Sequence, residues 1–157
     1  MQQKNYPENP IFIIDDEEHF LKSLSFFLKT EGFSNIITTN NPEDALLILK
    51  ENMPSLILLD MIMPKINGEI LLEKIKEKLP EIPIIVITAI DKAEMAVSCI
   101  KKGAYDYLVK PIDETKLLLT IRHILELEKI KELNIDLKSK LIEKEYKINP
   151  IFSQIIT

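Results

Sequence analysis

The chain has 157 residues, 46% of them hydrophobic and 29% charged, which is enough apolar material for one domain with a buried core. Its 20 basic and 25 acidic residues give a formal charge of −5, which argues against nucleic-acid binding by this segment, because phosphate backbones are held by clustered Lys and Arg. The sequence has no apolar run of roughly 18 residues, no signal peptide at residues 1–10 and no second cysteine beside Cys99, so we expect a cytoplasmic location without membrane contact.

Five short apolar runs rich in β-branched residues predict buried strands at 11–14, 36–38, 55–59, 84–87 and 107–109. Most of these runs are continuous rather than alternating, as is typical of parallel strands covered on both faces. Amphipathic stretches lie between them, at about 17–31, 42–52, 68–79, 91–102 and from 113 onward. Gly32 and Gly103 stand where helices should end, and Asn41-Pro42 indicates a helix start.

The alternation of strands and helices indicates βαβ units, whose crossovers are right-handed in nearly all proteins. We therefore expect an α/β fold with a doubly wound, five-stranded parallel sheet of the flavodoxin-like order 2-1-3-4-5. Helices should cover both faces of this sheet, and an extended helix should follow it at the C-terminus.

That last helix is the anomaly, because nothing breaks its pattern from Asp113 to about Lys147, far beyond the usual helix length of about 12 residues. The expected boundaries are 1–125 for the globular domain, 126–149 for a helical linker and 150–157 for the start of a further domain. Spacings of three, four and seven predict a coiled coil that joins two copies of the chain. A solvated single helix is the alternative, since Asn134 and Lys144 interrupt the apolar seam formed by Leu127, Ile130, Leu137 and Leu141.

Polar residues follow four of the predicted strands. In open parallel sheets ligands bind beyond the carboxyl ends of the strands, where this chain carries Asp15, Asp16, Asp60, Thr88 and Lys110. Three acids packed together repel one another unless a cation relieves them, and an oxygen-only ligand set selects Mg²⁺. A cation and an ammonium at one edge could neutralise a phosphoryl group in transfer.

The segments around these residues resemble the receiver domains of two-component response regulators, over about residues 9–125. The matching segments are Phe12–Glu17, Leu59–Pro64 with Asn67-Gly68, Ile87–Ala89 and Tyr105–Pro111. Their order and spacing fit the family, and together they are highly specific.

The resemblance implies that Asp60 is the phosphoacceptor, taking phosphate from a histidine of a partner sensor kinase. It implies that Asp16 and Asp60 bind Mg²⁺ through their side chains, Ile62 through its backbone carbonyl and Asp15 largely through water. The chain would then be a signalling domain rather than an enzyme, one that assists its own phosphotransfer and dephosphorylation.

The resemblance also implies that Lys110 contacts the phosphoryl group and that the Lys110-Pro111 bond is cis. Thr88 and Tyr107 match the switch pair of the family. In that switch the Thr88 hydroxyl turns to the phosphoryl group, and Tyr107 fills the space that it leaves.

Other functions fit less well. A magnesium-dependent phosphohydrolase with an aspartyl nucleophile usually presents two acids two residues apart after the first strand, whereas Asp15 and Asp16 are adjacent. A flavin-binding module needs a neutral phosphate loop at that place. Taken singly, Asp15-Asp16 could be a solvated turn, Asp60 a helix cap and Tyr107 plain packing.

Two further stretches of the sequence suggest which effector domain the receiver regulates. Residues 96–107 resemble receivers of nitrogen-regulation type, enhancer-binding activators, and residues 152–157 are similar to the start of their sigma-54-type ATPase module. A receiver that regulates a histidine kinase or a cyclic-nucleotide enzyme remains the alternative.

Overall fold

The computed structural model describes residues 5–148, with the side chains of residues 5–145. The predicted start of a further domain, at 150–157, lies outside the described residues. The chain divides into two compact units, and the boundary lies between Leu119 and Thr120. The first unit holds the whole sheet and its covering helices, and the second begins within the last helix.

The sheet has five parallel strands in the order β2-β1-β3-β4-β5, which confirms the predicted order. The strands are β1 Ile11–Ile14, β2 Ile36–Thr39, β3 Leu56–Leu59, β4 Ile84–Thr88 and β5 Asp106–Val109. Every residue of β1, β3 and β4 is buried, whereas the edge strands β2 and β5 are partly exposed. The continuous apolar runs thus correspond to the three central strands, which are covered on both faces.

The helices begin and end within two residues of the predicted positions. They are α1 Glu18–Thr30, α2 Pro42–Glu51, α3 Gly68–Lys78, α4 Ala93–Lys101 and α5 Glu114–Ile148. The Asn41 side chain accepts a hydrogen bond from the amide of Glu43 (3.1 Å), as an N-cap residue does. Gly32 and Gly103 have φ angles of 100° and 105°, the left-handed conformation that glycine adopts most readily.

Among the described helices, none combines the length and apolar content that crossing a bilayer requires.

Helix α3 begins against the turn that follows β3. The Gly68 amide donates to the Met61 carbonyl (3.2 Å), and a Cβ at Gly68 would lie only 2.4 Å from the Met61 Cα and 2.8 Å from the Asp60 carbonyl oxygen. Any larger residue would force the two segments apart. The Asn67-Gly68 pair therefore both caps α3 and lets it approach the backbone of Asp60.

Candidate functional site

Three carboxylates meet at the carboxyl edge of the sheet. Asp15 and Asp16 follow β1 and Asp60 follows β3, and one oxygen of each lies within 4.8 Å of the others. Asp15 and Asp60 are 1% and 5% exposed, while Asp16 is open to solvent. The sheet fixes the two buried residues through their main chains, since the Asp15 amide donates to Thr39 (3.2 Å) and the Asp60 amide donates to Ile14 (3.0 Å).

The carboxyl group of Asp15 has a partner on each oxygen. Oδ1 accepts from the Glu17 amide (2.9 Å), and Oδ2 accepts from the Lys110 ammonium (2.7 Å). Burial nevertheless raises the pKa of Asp15 above its ordinary value of 3.8, and the nearby charge of Asp60 raises it further. Since the folded state disfavours the charged form, ionisation of Asp15 costs stability as the pH rises through this raised pKa, until a cation relieves it.

Lys110 is the counter-charge of the site. Its Nζ lies 2.7 Å from Asp15, 3.5 Å from Asp60 and 3.8 Å from Glu17. Burial works to lower the pKa of the Lys110 ammonium, but the Asp15 hydrogen bond and the surrounding carboxylates outweigh it and raise the pKa. The Lys110-Pro111 bond is cis, as predicted. The lysine is therefore a fixed cation beside both buried acids.

A residue that sequence reasoning missed completes the surroundings of this lysine. The Lys110 ammonium lies over the ring of Phe20, 4.0 Å from the ring centroid. Phe20 is the third residue of α1, and from sequence it reads as an apolar position of an amphipathic helix. Its separation of 90 residues from Lys110 leaves no local signal of the contact.

Asp60 is held by its own loop as well as by the sheet. Its Oδ1 accepts from the Ile62 amide (3.1 Å), and its Oδ2 faces Lys110. The Ile62 side chain is 51% exposed. A groove of about 410 Å³ opens beside it, bounded by the loop after β3 and the start of α4 and lined among others by Met61, Ile66, Ile90 and Met95.

Thr88 and Tyr107, the expected switch pair, bind the same residue. The Thr88 hydroxyl, fully buried, accepts from the Ile90 amide (3.4 Å). The Tyr107 hydroxyl donates to the Ile90 carbonyl (2.6 Å). Burial, and then the negative charges around it, raise the pKa of Tyr107 to about 12, so the phenol remains a donor at neutral pH. Thr88 and Tyr107 thus bind the amide and the carbonyl of one residue, Ile90.

A polar cluster joins α3 to α4, and one of its members, Glu69, also lines the groove. Glu69 accepts hydrogen bonds from Ser98 (3.1 Å) and from the Lys102 ammonium, and Lys102 also pairs with Glu73 (3.2 Å). The hydrogen bond from Lys102 is the main reason that the pKa of Glu69 is lowered. Glu69 directly follows Gly68, so this cluster starts at the same close approach to Asp60.

The donor set of the site fits a hard cation. The described side chains supply carboxylate oxygens only, two of them from buried residues whose mutual repulsion a cation would relieve. Mg²⁺ accepts such ligands together with backbone carbonyls and water.

The family model of the response regulator receiver domain matches residues 11–122. The chain belongs to this family. A response regulator described as NtrX-like from Rickettsia felis is 40% identical over 136 residues, which is 85% of this chain but only 28% of the relative. The NtrX receiver domain of Brucella abortus is 32% identical with a TM-score of 0.69 and covers 74% of this chain and 98% of that one. A CheY-like receiver domain from Methanospirillum hungatei JF-1 is 27% identical, with a TM-score of 0.72, over 78% of this chain and 98% of that one.

Membership confirms the predicted family and fold. Receiver domains are signalling domains of two-component systems; they take phosphate from histidine kinases and bind Mg²⁺ at an acidic pocket. The cluster of Asp15, Asp16 and Asp60 lies where the sequence predicted such a pocket. The chain spans about 28% of the length of its NtrX-like relative, so the output of the whole protein is a separate question.

Removing one acid should stabilise the metal-free domain. Asp60→Asn should raise its free energy of unfolding by about 1–2 kcal/mol, because a buried charge beside Asp15 is lost. Asp16→Asn should raise it less, because Asp16 is exposed and screened. Both variants should show a smaller Mg²⁺-induced rise in Tm than the wild type. Chemical and thermal denaturation with and without Mg²⁺ measure these quantities.

Asp44→Asn is the matched control, because Asp44 is an exposed acid on α2 outside the cluster. It should not raise the free energy of unfolding, since it only removes a favourable charge from the first turn of α2, and it should leave the Mg²⁺-induced rise in Tm unchanged. If Asp16→Asn and Asp60→Asn behave in the same way, the three acids do not share a site.

Proposed function

We propose that this receiver domain accepts a phosphoryl group on Asp60 from the phosphohistidine of a sensor kinase, in a reaction that requires Mg²⁺. The observation that supports this most directly is the meeting of three carboxylates and one ammonium at a single sheet edge. Such a site is short of positive charge by one divalent cation. With that cation bound, the site would suit a phosphoryl transfer, in which the negative charge on the phosphoryl oxygens must be neutralised.

In the proposed transfer a carboxylate oxygen of Asp60 attacks the phosphorus atom. A P–O bond forms, the P–N bond to the kinase histidine breaks, and the imidazole leaves. Asp16 and Asp60 through their side chains, Ile62 through its carbonyl and Asp15 through water would hold the Mg²⁺, which supplies charge neutralisation when bound. Lys110, already 3.5 Å from Asp60, would contact a phosphoryl oxygen.

The same residues would assist hydrolysis of the acyl phosphate, so the domain would help both its own phosphorylation and its own dephosphorylation. The domain would act as a signalling component in the cytoplasm and not as an enzyme on an external substrate.

Acetyl phosphate with Mg²⁺ should add one phosphoryl group to the chain, since a small donor can replace the kinase. Asp60→Asn should abolish the adduct, because the amide is a poor nucleophile and cannot form an acyl phosphate. Asp91→Asn, which removes an exposed acid from the neighbouring loop, should be phosphorylated like the wild type. Intact mass spectrometry measures the adduct, and a full adduct on Asp60→Asn would refute the assignment of Asp60.

We further propose that Thr88 and Tyr107 relay the phosphorylation through the backbone of Ile90. A phosphoryl group on Asp60 offers the Thr88 hydroxyl an acceptor for its proton. As the hydroxyl turns to donate to it, the Thr88 oxygen would move out of reach of the Ile90 amide, from which it accepts a hydrogen bond. The Tyr107 hydroxyl holds the carbonyl of that same residue. The loop before α4 would thus be freed on one side while it stays anchored on the other.

One hydrogen bond is too weak to drive this change alone. Taking a two-state equilibrium from mostly off to mostly on needs about 5.5 kcal/mol, while a charge-assisted hydrogen bond contributes about 1.5–3 kcal/mol. Lys110 and the α3–α4 contacts of Glu69 must supply the rest.

Thr88→Ala should leave phosphorylation possible but uncouple it from α4, because no hydroxyl remains to turn toward the phosphoryl group and release the Ile90 amide. Thr88→Ser, which keeps the hydroxyl, should retain the coupling. The measurement is the change in backbone amide NMR shifts of residues 90–101 on phosphorylation. Wild-type shift changes in the phosphorylated Thr88→Ala variant would contradict the proposed relay.

We also propose that α5 joins two copies of the chain. In the part of α5 that belongs to the second unit, five apolar side chains on or beside the seam are 39–61% exposed. They are Leu127, Ile130, Leu133, Leu137 and Leu141. Burying each of them would contribute very roughly 1.5–3 kcal/mol before the cost of association. In a parallel pair of helices, a residue that flanks the seam on one copy lies near the residue five positions further along on the other copy. This spacing would pair Glu126 with Lys131 and Lys140 with Glu145, each pair with opposite charges. Asn134 on the seam would favour a two-stranded register.

Leu137→Asp should convert the dimer into a monomer, because a charge then lies in the seam. Ile135→Asp is the matched control: Ile135 is 66% exposed on the same helix but lies off the seam, so the dimer should persist. Truncation after Glu126 should also give a monomer that still accepts phosphate at Asp60. Analytical ultracentrifugation at tens of micromolar measures the oligomeric state of the wild type and of these variants. A monomeric wild type would contradict the proposed dimer and leave α5 as a solvated linker.

For the output we propose a sigma-54-type activator ATPase, in line with the NtrX-like relatives, with no direct contact between this segment and nucleic acid. A histidine kinase or a cyclic-nucleotide enzyme is the alternative effector. The coding sequence downstream of residue 157 tests this directly, because a P-loop motif within the following domain is expected only of the ATPase.

A further inference from the structure

Of the four groups described around the Lys110 ammonium, the ring of Phe20 is the neutral one. The other three are the carboxylates of Asp15, Asp60 and Glu17. The ring centroid lies 4.0 Å from Nζ, within the range of a cation–π interaction, and both side chains are partly buried, which strengthens such a contact.

These partners respond differently to a bound cation. Asp15 and Asp60 belong to the carboxylate cluster, so a divalent cation there would draw on the oxygens that hold the lysine and would also repel its ammonium. Glu17 stays available, but its side chain is 67% exposed, and an ammonium that followed it would move toward solvent. An aromatic ring is no ligand for Mg²⁺, which takes oxygen donors. The Phe20 contact is therefore the one that metal binding does not compete for.

We propose that Phe20 is a positioning residue that keeps the Lys110 ammonium over the site when Mg²⁺ occupies the carboxylates. This inference rests on the proposed phosphotransfer to Asp60. The π-face holds the ammonium against the repulsion of the metal and leaves its N–H groups directed at the place where the phosphoryl group arrives. Lys110 makes the contact with the phosphoryl group, and Phe20 acts through Lys110.

The test replaces the ring but keeps an apolar side chain of similar volume. In Phe20→Leu the initial rate of phosphorylation by acetyl phosphate should fall on the order of tenfold, as expected for the loss of a partly desolvated cation–π contact. The affinity for Mg²⁺, followed by NMR titration of the amides of residues 60–62, should stay the same or increase, because the ammonium can now move away. A merely structural role for Phe20 would weaken both quantities together.

Two further variants make the test specific. Phe20→Trp keeps a π-face and should retain at least the wild-type rate, and it also places the only tryptophan in a chain that has none. Its fluorescence should change with Lys110→Ala and keep most of its Lys110-dependent signal when Mg²⁺ is added. In the Lys110→Ala background, Phe20→Leu should cause no further loss of rate, measured over longer times.

The outcomes separate the two proposals. A wild type that acetyl phosphate does not modify at Asp60 would overturn the proposed function itself. If the wild type is modified but Phe20→Leu reacts equally fast, the role of Phe20 alone is overturned. The same holds if the losses of rate caused by Phe20→Leu and Lys110→Ala are additive. If Phe20→Leu proves unstable, Phe20→Met replaces it. Comparing Phe20→Met with Phe20→Trp then gives the same contrast between an aliphatic and an aromatic side chain.

Discussion

The structure depends on one electrostatic constraint: two carboxylates are buried side by side at the edge of a sheet, with one lysine to balance them. A charge that leaves water loses several kcal/mol of hydration unless it is paired and hydrogen-bonded. Asp15 and Asp60 are tolerated because each carboxylate accepts a main-chain hydrogen bond, from the Glu17 and Ile62 amides respectively, and because Lys110 contacts both. The raised pKa of Asp15 shows that this compensation is incomplete. The site is thus arranged to favour the arrival of positive charge.

The residues at this edge of the sheet also make the contacts that hold helix α4. The backbone of Asp60 and Met61 touches α3 at Gly68, and the next residue, Glu69, holds α4 through Ser98 and Lys102. On the other side, Thr88 and Tyr107 hold the loop that enters α4. Helix α4 is therefore held at two places, and one of them starts where α3 packs against the backbone of Asp60.

The sequence was sufficient for the sheet order and for the acidic cluster, and the reason is topological. Continuous apolar runs mark the strands, and parallel strands bring their carboxyl ends to one edge, so Asp15 and Asp60 had to approach each other. Phe20 could not be found in this way, because an aromatic residue in an amphipathic helix reads as core packing. Ile90 was also missed as a link, because its role uses its amide and carbonyl, which every residue except proline possesses. Such contacts depend on distances between segments far apart in the chain, and no local pattern encodes them.

The link through Ile90 has a consequence for how such a domain can diversify. Thr88 and Tyr107 both bind main-chain atoms of residue 90, while its side chain lines the groove beside the loop of Asp60. The relay and the lining of the groove thus use different parts of one residue. A substitution at position 90 can reshape this groove while the main-chain hydrogen bonds of the proposed relay are left intact. Proline is the exception, because it lacks the amide hydrogen that the Thr88 hydroxyl accepts, although its carbonyl could still bind Tyr107.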